Sequence, residues 1–363
     1  MTSTLPSRTT TRSLRDRVAS LAELLTTPLL PADYLDLISP LRAGAELRGR
    51  IVAVLPETRD AVTLVIRPGR SWRSHVPGQY VRIGVDVDGV RLWRAYSLTS
   101  PTDRDDGCIT VTVKAMPDGK VSNHLVRKAM PGTIIQLDQA TGDFTLPAQA
   151  PPKVLFLTAG SGITPVMGML RNAVDRLGDV VVLHSAPTAT DVIFGPELRV
   201  LATQGRIRLV ERHTDSDGLL DVAELAAIVP DLAERETWAC GPTGLLNAVQ
   251  EHFEAAGIEN LLHTERFRPS VLVTGDGGEA TFSRSGKVVQ ADGSTALLDA
   301  GEAAGVLMPS GCRMGICFGC VVPLREGAVR DLRNGELTIA APGDGVLIQT
   351  CVSAAAGACD IDV

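Results

Sequence analysis

Three cysteines crowd into nine residues near one end of this chain. The run Pro309-Ser310-Gly311-Cys312-Arg313-Met314-Gly315-Ile316-Cys317-Phe318-Gly319-Cys320 sets them in a C-x4-C-x2-C spacing, and Cys351 follows after thirty intervening residues. A cluster of two irons bridged by sulfide needs four thiolates on two tetrahedral metal centres. A short glycine-rich loop wraps three of them, and a distant strand or turn supplies the fourth. Gly311, Gly315 and Gly319 let the backbone come close to sulfide and donate N–H bonds to it. Buried free cysteines do not usually crowd at this density, and a zinc ribbon more often pairs two C-x2-C knuckles where this chain has one. The spacing therefore predicts a 2Fe–2S cluster on Cys312, Cys317, Cys320 and Cys351.

The residues before the loop agree, since Thr295 to Gly305 reads as a short helix feeding it. On this spacing and this helix, residues 279–363 resemble a plant-type ferredoxin domain. The resemblance implies an α+β (β-grasp) fold. What lies upstream must then supply electrons.

At 363 residues the chain is too long for one ordinary core and suggests two to four domains. A net charge of −7 argues against nucleic acid as a partner, because such binding rests on neutralising phosphates. Beyond the four clustered cysteines, Cys108, Cys240 and Cys359 are scattered and odd in number, which suits a reducing cytosol better than a disulfide framework. No apolar run reaches the ~18–20 residues of a membrane-spanning helix, and the Ser/Thr/Arg-rich start lacks a signal-peptide core. The expectation is a soluble, cytoplasmic protein that meets a membrane only through a partner.

Residues 1–45 read as an N-terminal helical arm. Ser13 to Asp16 resembles a capping box, Leu14, Val18, Leu21 and Leu25 follow at helical spacing, and a second short helix covers Ala32 to Ile38. Residues 46–149 change to short alternating strands, Arg48–Val54, Ala61–Arg67, Tyr80–Val87, Val90–Leu98 and Cys108–Lys114, as in a small antiparallel β-barrel. A planar flavin needs an aromatic ring at its face, hydrogen bonds at its edge, and positive charge with a helix N-terminus at its phosphates. Tyr96 can stack, Ser97 can reach the ring near N5, and Arg94 can meet phosphate. The stretch Gly119-Lys120-Val121-Ser122-Asn123 would open a helix toward the pyrophosphate, which favours FAD over FMN. With His75-Val76-Pro77-Gly78-Gln79-Tyr80 upstream, the Arg94-Ala95-Tyr96-Ser97 motif resembles the flavin domain of the ferredoxin–NADP reductase superfamily.

Residues 150–268 alternate strand and helix, an α/β unit with a parallel sheet. Val154 to Thr158 is a continuous apolar run, as a buried parallel strand should be. It leads into Gly160-Ser161-Gly162-Ile163-Thr164-Pro165, with Thr164 suited to an N-cap and Pro165 to the first helical position. This G-x-G-x-x-P turn and the later Cys240-Gly241-Pro242 turn resemble the nicotinamide domain of the same superfamily. The resemblance implies a pyrophosphate over Gly160, Gly162, Thr164 and Pro165, and a nicotinamide stacked against the flavin between Ser97 and Cys240. Arg212 matches an arginine that binds the 2′-phosphate of NADPH in plastid-type reductases, while Glu211 stands where they carry serine. That points to NADPH, with NADH as the alternative. Residues 269–278 read as the linker to the ferredoxin-like domain.

The domain order resembles single-chain flavin/iron–sulfur reductases, multidomain proteins that feed oxygenases and desaturases. Thr27-Pro28-Leu29-Leu30-Pro31-Ala32-Asp33-Tyr34-Leu35 and Trp93-Arg94-Ala95-Tyr96-Ser97 add a likeness to actinobacterial reductases of membrane stearoyl-CoA desaturases. The resemblance implies an enzyme in which NAD(P)H reduces the flavin and the cluster passes single electrons to a protein acceptor. That acceptor is expected to be a fatty acyl-CoA desaturase. The alternatives are a soluble oxygenase (Rieske, multicomponent or cytochrome P450), or a non-enzymatic redox carrier or sensor.

Overall fold

The computed structural model describes residue 41 and residues 46–117, 119–267 and 273–363. The expected helical arm lies outside the described residues apart from its edge. Six antiparallel strands form the first unit: β1 (Arg48–Thr58), β2 (Ala61–Pro68), β3 (Tyr80–Val87), β4 (Val90–Ser97), β5 (Ile109–Lys114) and β6 (Ile134–Leu137), in the order β4-β3-β6-β1-β2-β5. Just past β4, Leu98 bridges Val111 of β5 and Thr99 N–H donates to Thr110 O at 2.9 Å, so the sheet's two edges meet and the barrel closes. Ile51, Leu64, Ile66, Val81, Ile83 and Val111 fill its interior with no exposed surface, each worth about 1.5–3 kcal/mol relative to exposure. A helix, α1 (Lys120–Arg127), packs Val121 and Leu125 against this core.

The second unit is a parallel sheet, as the unbroken apolar runs required. Strands β7 (Lys153–Ala159), β8 (Asp179–Ala186), β9 (Arg208–His213), β10 (Glu236–Cys240) and β11 (Leu262–Glu265) lie in the order β11-β10-β7-β8-β9. The helices α2 (Ile163–Ala173), α3 (Gly195–Thr203) and α4 (Thr243–Ala255) alternate with these strands. Helix α2 starts two residues before the expected Pro165. A 3-10 turn over Gly160–Gly162 already directs the chain into the helix, so Gly162 is the N-cap and the Thr164 hydroxyl donates to Ser161 O at 2.9 Å.

Helix α2 also clamps the first two units together. A Cβ at Gly168 would run into Leu98 O. Arg171 donates to Thr99 O at 2.7 Å, and Asn172 accepts from Thr102 N at 2.9 Å while donating to Ser100 O at 3.1 Å. The segment that follows the flavin-motif strand is thereby fastened to the nicotinamide-motif helix.

The third unit is a mixed sheet. Strands β12 (Gly278–Phe282), β13 (Lys287–Ala291), β14 (Val321–Asp331), β15 (Leu337–Ala340) and β17 (Ser353–Ile361) run in the order β13-β12-β17-β14-β15, with β16 (Leu347–Gln349) paired to β14. The β12–β17 pair is parallel, and α5 (Leu297–Ala303) buries Leu297 and Leu298 in the core. This is the α+β (β-grasp) arrangement. Within the expected linker, Gly275 N–H donates to Gly293 O at 2.6 Å and Gly277 N–H to Ala355 O at 3.1 Å, so both glycines are bound into this third unit. No helix among the described residues is long and apolar enough to cross a membrane.

Candidate functional site

The four cysteines of the spacing argument come together in two pairs. Cys320 Sγ lies 3.2 Å from Cys351 Sγ, and Cys312 N–H donates to Cys317 Sγ at 3.1 Å. Among the described residues no group of three or more side chains is arranged around a single metal ion. Two thiol pairs suit two metal centres, each taking two protein sulfurs. The surroundings favour thiolate: Met314 N–H points at Cys312 Sγ from 3.3 Å and Gly319 N–H at Cys317 Sγ from 3.4 Å. Within each pair one sulfur gains at the other's expense: the Cys312 thiol, with the Cys312 and Gly319 N–H groups, pulls Cys317 down to about 5, and Cys351 pulls Cys320 down to about 6, while Cys312 and Cys351 are themselves raised. A Cβ at Gly311 would stand 2.5 Å from Cys317 Sγ, and Gly315, Arg313 and Phe318 all adopt positive φ. The loop is coiled tightly enough to require its glycines. These donors and this space fit a 2Fe–2S cluster.

The flavin motif lies on β4, paired with β3 so that Tyr80 faces Ser97, Val81 faces Tyr96 and Ile83 faces Arg94. Ser97 is buried, and its hydroxyl has no hydrogen-bond partner within the described protein. Such an orphaned group is expected where a ligand completes the bond. Burial first, then the nearby charge of Arg313, lowers the Arg94 pKa to about 10, so it stays cationic at neutral pH. The first N–H groups of α1 take no side-chain cap at Gly119. Ser122 does not offer its hydroxyl outward: it accepts from Met116 N at 3.1 Å and donates to Gly119 O at 3.3 Å, bracing the turn. Lys120 is exposed beside it, and Val121 is core.

On the nicotinamide side, Cys240 ends β10 in register with Thr158 of β7 and Glu265 of β11. A Cβ at Gly162 would run into Cys240 O, so the glycine turn and the Cys240-Gly241-Pro242 turn close on each other. Burial, reinforced by Glu265, raises the Cys240 thiol well above its usual range, leaving it a neutral small hydrophobe at neutral pH. Glu265 was not singled out by the motifs. It is half-buried, its Oε2 is sealed from solvent without a partner, and this desolvation pushes its pKa up to about 8. A carboxyl ending an edge strand looks like an ordinary surface charge in sequence; only the register beside Cys240 distinguishes it.

At the far edge of the sheet, Arg212 donates to Gly218 O at 3.0 Å, Asp217 O at 2.8 Å and Glu224 at 2.7 Å. Its neighbour Glu211 is gripped by both arms of Arg199 at 2.9 Å. Burial raises the Glu211 pKa, but Arg199 and His213 outweigh it and keep the carboxylate ionised. His184 is fully buried, shares a 2.8 Å hydrogen bond with Thr158, and falls to about 4 through burial, so it brings no charge to a nucleotide.

The cluster loop lies against the flavin strands. Tyr80 is pushed up to about 12 by burial and then by Cys312 and Cys317. Arg313, from the loop, sits near Arg94 and is itself paired with Asp299 at 2.5 Å and with Glu302.

Comparison with known proteins agrees with this layout. Residues 71–146 match the family model for an oxidoreductase FAD-binding domain, 156–251 an oxidoreductase NAD-binding domain, and 281–356 a 2Fe-2S iron-sulfur cluster binding domain. The chain is 53% identical over 350 residues to an NADPH oxidoreductase of Mycobacterium tuberculosis, covering 94% of this chain and 91% of the relative. It is 31% identical to the glycine betaine monooxygenase reductase subunit of Chromohalobacter salexigens, covering 83% of this chain and 91% of that protein. The solved structure of phthalate dioxygenase reductase superposes with a TM-score of 0.61 over 88% of this chain and 98% of that one, at 20% identity, a likeness of fold.

Proposed function

Since the chain belongs to the ferredoxin–NADP reductase superfamily, as a single-chain NAD(P)H-dependent flavin/2Fe–2S oxidoreductase, we propose that it is the reductase component of an oxygenase. One observation supports this most directly. The β3–β4 pair carries the flavin motif and also lies against the cluster loop, where Arg82 of β3 reaches Gly311 and Gly319, so flavin and cluster can pass electrons within one chain. When bound, the nicotinamide supplies a hydride, the flavin takes two electrons at once and releases them singly, and the cluster carries one at a time.

The protein's own residues hold and shield these groups. In this reading Tyr96 flanks the flavin, and the Ser97 hydroxyl donates to its ring edge. Arg94, the Lys120 side chain and the backbone N–H groups of Lys120, Val121 and Ser122 after the Gly119 turn take its phosphates, which favours FAD. Gly160, Gly162, Thr164 and Pro165 form the dinucleotide turn, and Cys240, Gly241 and Pro242 flank the nicotinamide. The neutral thiol of Cys240 excludes water there without adding charge.

The coenzyme is NADPH in this reading, which the 53% identical NADPH oxidoreductase supports. Arg212 would take the 2′-phosphate by exchanging Glu224 for it, and NADH would gain nothing from that exchange. Arg212→Ala is expected to raise KM for NADPH about tenfold and leave NADH turnover unchanged; an equal loss with both coenzymes would remove the phosphate role.

The named monooxygenase reductase among the relatives favours an oxygenase acceptor. A second reading, a membrane fatty acyl-CoA desaturase, rests on the motif of residues 27–35 and on Trp93 to Ser97. In either case the partner meets the third unit, where residues 279–363 hold ten Asp/Glu against six Lys/Arg, a net −4, so rates should fall as salt rises. No two of the seven cysteines form a disulfide, and the three outside the cluster loop and its partner Cys351 stand as thiols, which suits a cytoplasmic setting. The test is reconstitution of the full holo chain with a Rieske-type oxygenase and, separately, with desaturase-bearing membranes, measuring product per NADPH oxidised. Coupled turnover with the desaturase alone would sink the oxygenase reading.

A further inference from the structure

Tyr80, Arg82 and Gly84 share one face of β3, opposite Ser97, Ala95 and Trp93 of β4. A Cβ at Gly84 would stand 2.9 Å from the Trp93 ring, so the glycine lets the indole lie down on the strand. The Arg82 guanidinium sits over that indole, 5.1 Å from the ring centroid. Its Nε is 3.1 Å from Asp138 Oδ2 but buried without an aligned hydrogen bond. The other edge of the guanidinium reaches across to the third unit. A Cβ at Gly311 would meet Arg82 Cζ at 3.4 Å and Nη2 at 3.5 Å, and one at Gly319 would meet Nη2 at 3.5 Å. Gly311 and Gly319 are the two glycines packed on Cys317 Sγ.

We propose that Arg82 is the positioning residue that seats the cluster loop on the flavin barrel, and that its fixed charge beside Cys317 makes the cluster easier to reduce. The chemistry calls for arginine. A planar guanidinium can stack on Trp93 and still present an edge to the loop, and it never loses its charge. The two glycines leave the space it occupies. Arg313, the loop's own arginine, faces two carboxylates, Asp299 and Glu302, whereas Arg82 faces one, Asp138, and its charge acts on Cys317. A net positive charge held close to a centre that gains an electron stabilises the reduced state. The seating and the potential thus come from one side chain of a different domain.

The inference does not depend on which acceptor the protein serves, because the test needs none. The full holo chain is compared with Arg82→Gln and Arg82→Lys. The cluster potential is read by EPR-monitored redox titration, with the flavin potential as an internal reference. Amide exchange over residues 312–319 reports the seating. Arg82→Gln is expected to shift the cluster's one-electron equilibrium about tenfold toward the oxidised form, about 59 mV. Exchange in the loop should rise at least tenfold. Arg82→Lys should keep most of the potential, since the charge remains, but show the faster exchange, since the planar stack is gone. An unchanged potential in Arg82→Gln, or a potential equally low in both variants, overturns the electrostatic part. Unchanged exchange in both overturns the seating.

Discussion

Glu265 and Cys240 show how position changes what a side chain is. Cys240 is a fully buried thiol whose pKa is raised by that burial and then by Glu265, so its contribution is shape. Glu265 beside it is raised to about 8 from an ordinary 4.5 by burial. The folded protein therefore holds a proton on Glu265 through a range in which the unfolded chain has lost it. Stability from this group is fully present below about pH 4.5 and is lost as pH rises through about 8. Melting temperature should fall across that window in the wild type, and Glu265→Gln should flatten this part of the profile. A profile identical to wild type in the Gln variant would mean that Glu265 is ionised throughout. Arg212 illustrates the converse: its resemblance to a phosphate-binding arginine rests on sequence, and here Glu224 and two backbone carbonyls hold it. Any nucleotide must compete with those partners.

At the level of elements, the turn after β7 carries the greatest constraint. Sequence periodicity and the apolar run of residues 154–158 predicted both the parallel strand and the helix after it, and both are present. The 3-10 entry over Gly160–Gly162 was not visible, because the close approach of Cys240 O to Gly162 that accompanies it joins residues far apart in the chain. Gly162→Ala places a methyl against that carbonyl with backbone on both sides, so neither can yield cheaply. A cost of about 1–3 kcal/mol in stability is expected, together with weaker nicotinamide binding, read by denaturant melts and by nucleotide titration. Retained stability with unaltered binding would show that the two turns separate freely. The cluster loop is the opposite case. Its four cysteines stand out in sequence because a metal's coordination sets such a spacing, and the structure brings Cys312 near Cys317 and Cys320 near Cys351, an arrangement that suits two metal centres.

Across the whole molecule, three sheets are joined in series: the barrel to the parallel sheet through α2, and the cluster loop to the barrel through β3 and β4. This order makes a separable prediction. Cys317→Ser should abolish electron delivery to a one-electron protein acceptor and leave flavin reduction by NADPH within about twofold of wild type. Stopped-flow flavin bleaching and acceptor reduction measure the two independently, and equal loss of both in a folded variant would break the serial order. Fold class, the order of the three units and their cofactor classes were readable from the chain because each depends on local spacing: apolar period, turn glycines, cysteine intervals. The pairing of Glu265 with Cys240, the commitment of Arg212 and the reach of Arg82 to Gly311 and Gly319 were not readable. They join residues far apart in the chain through strand register and domain docking. Nothing in the neighbourhood of Arg82 along the chain distinguishes it from any other strand arginine; the fold brings it to the cluster loop.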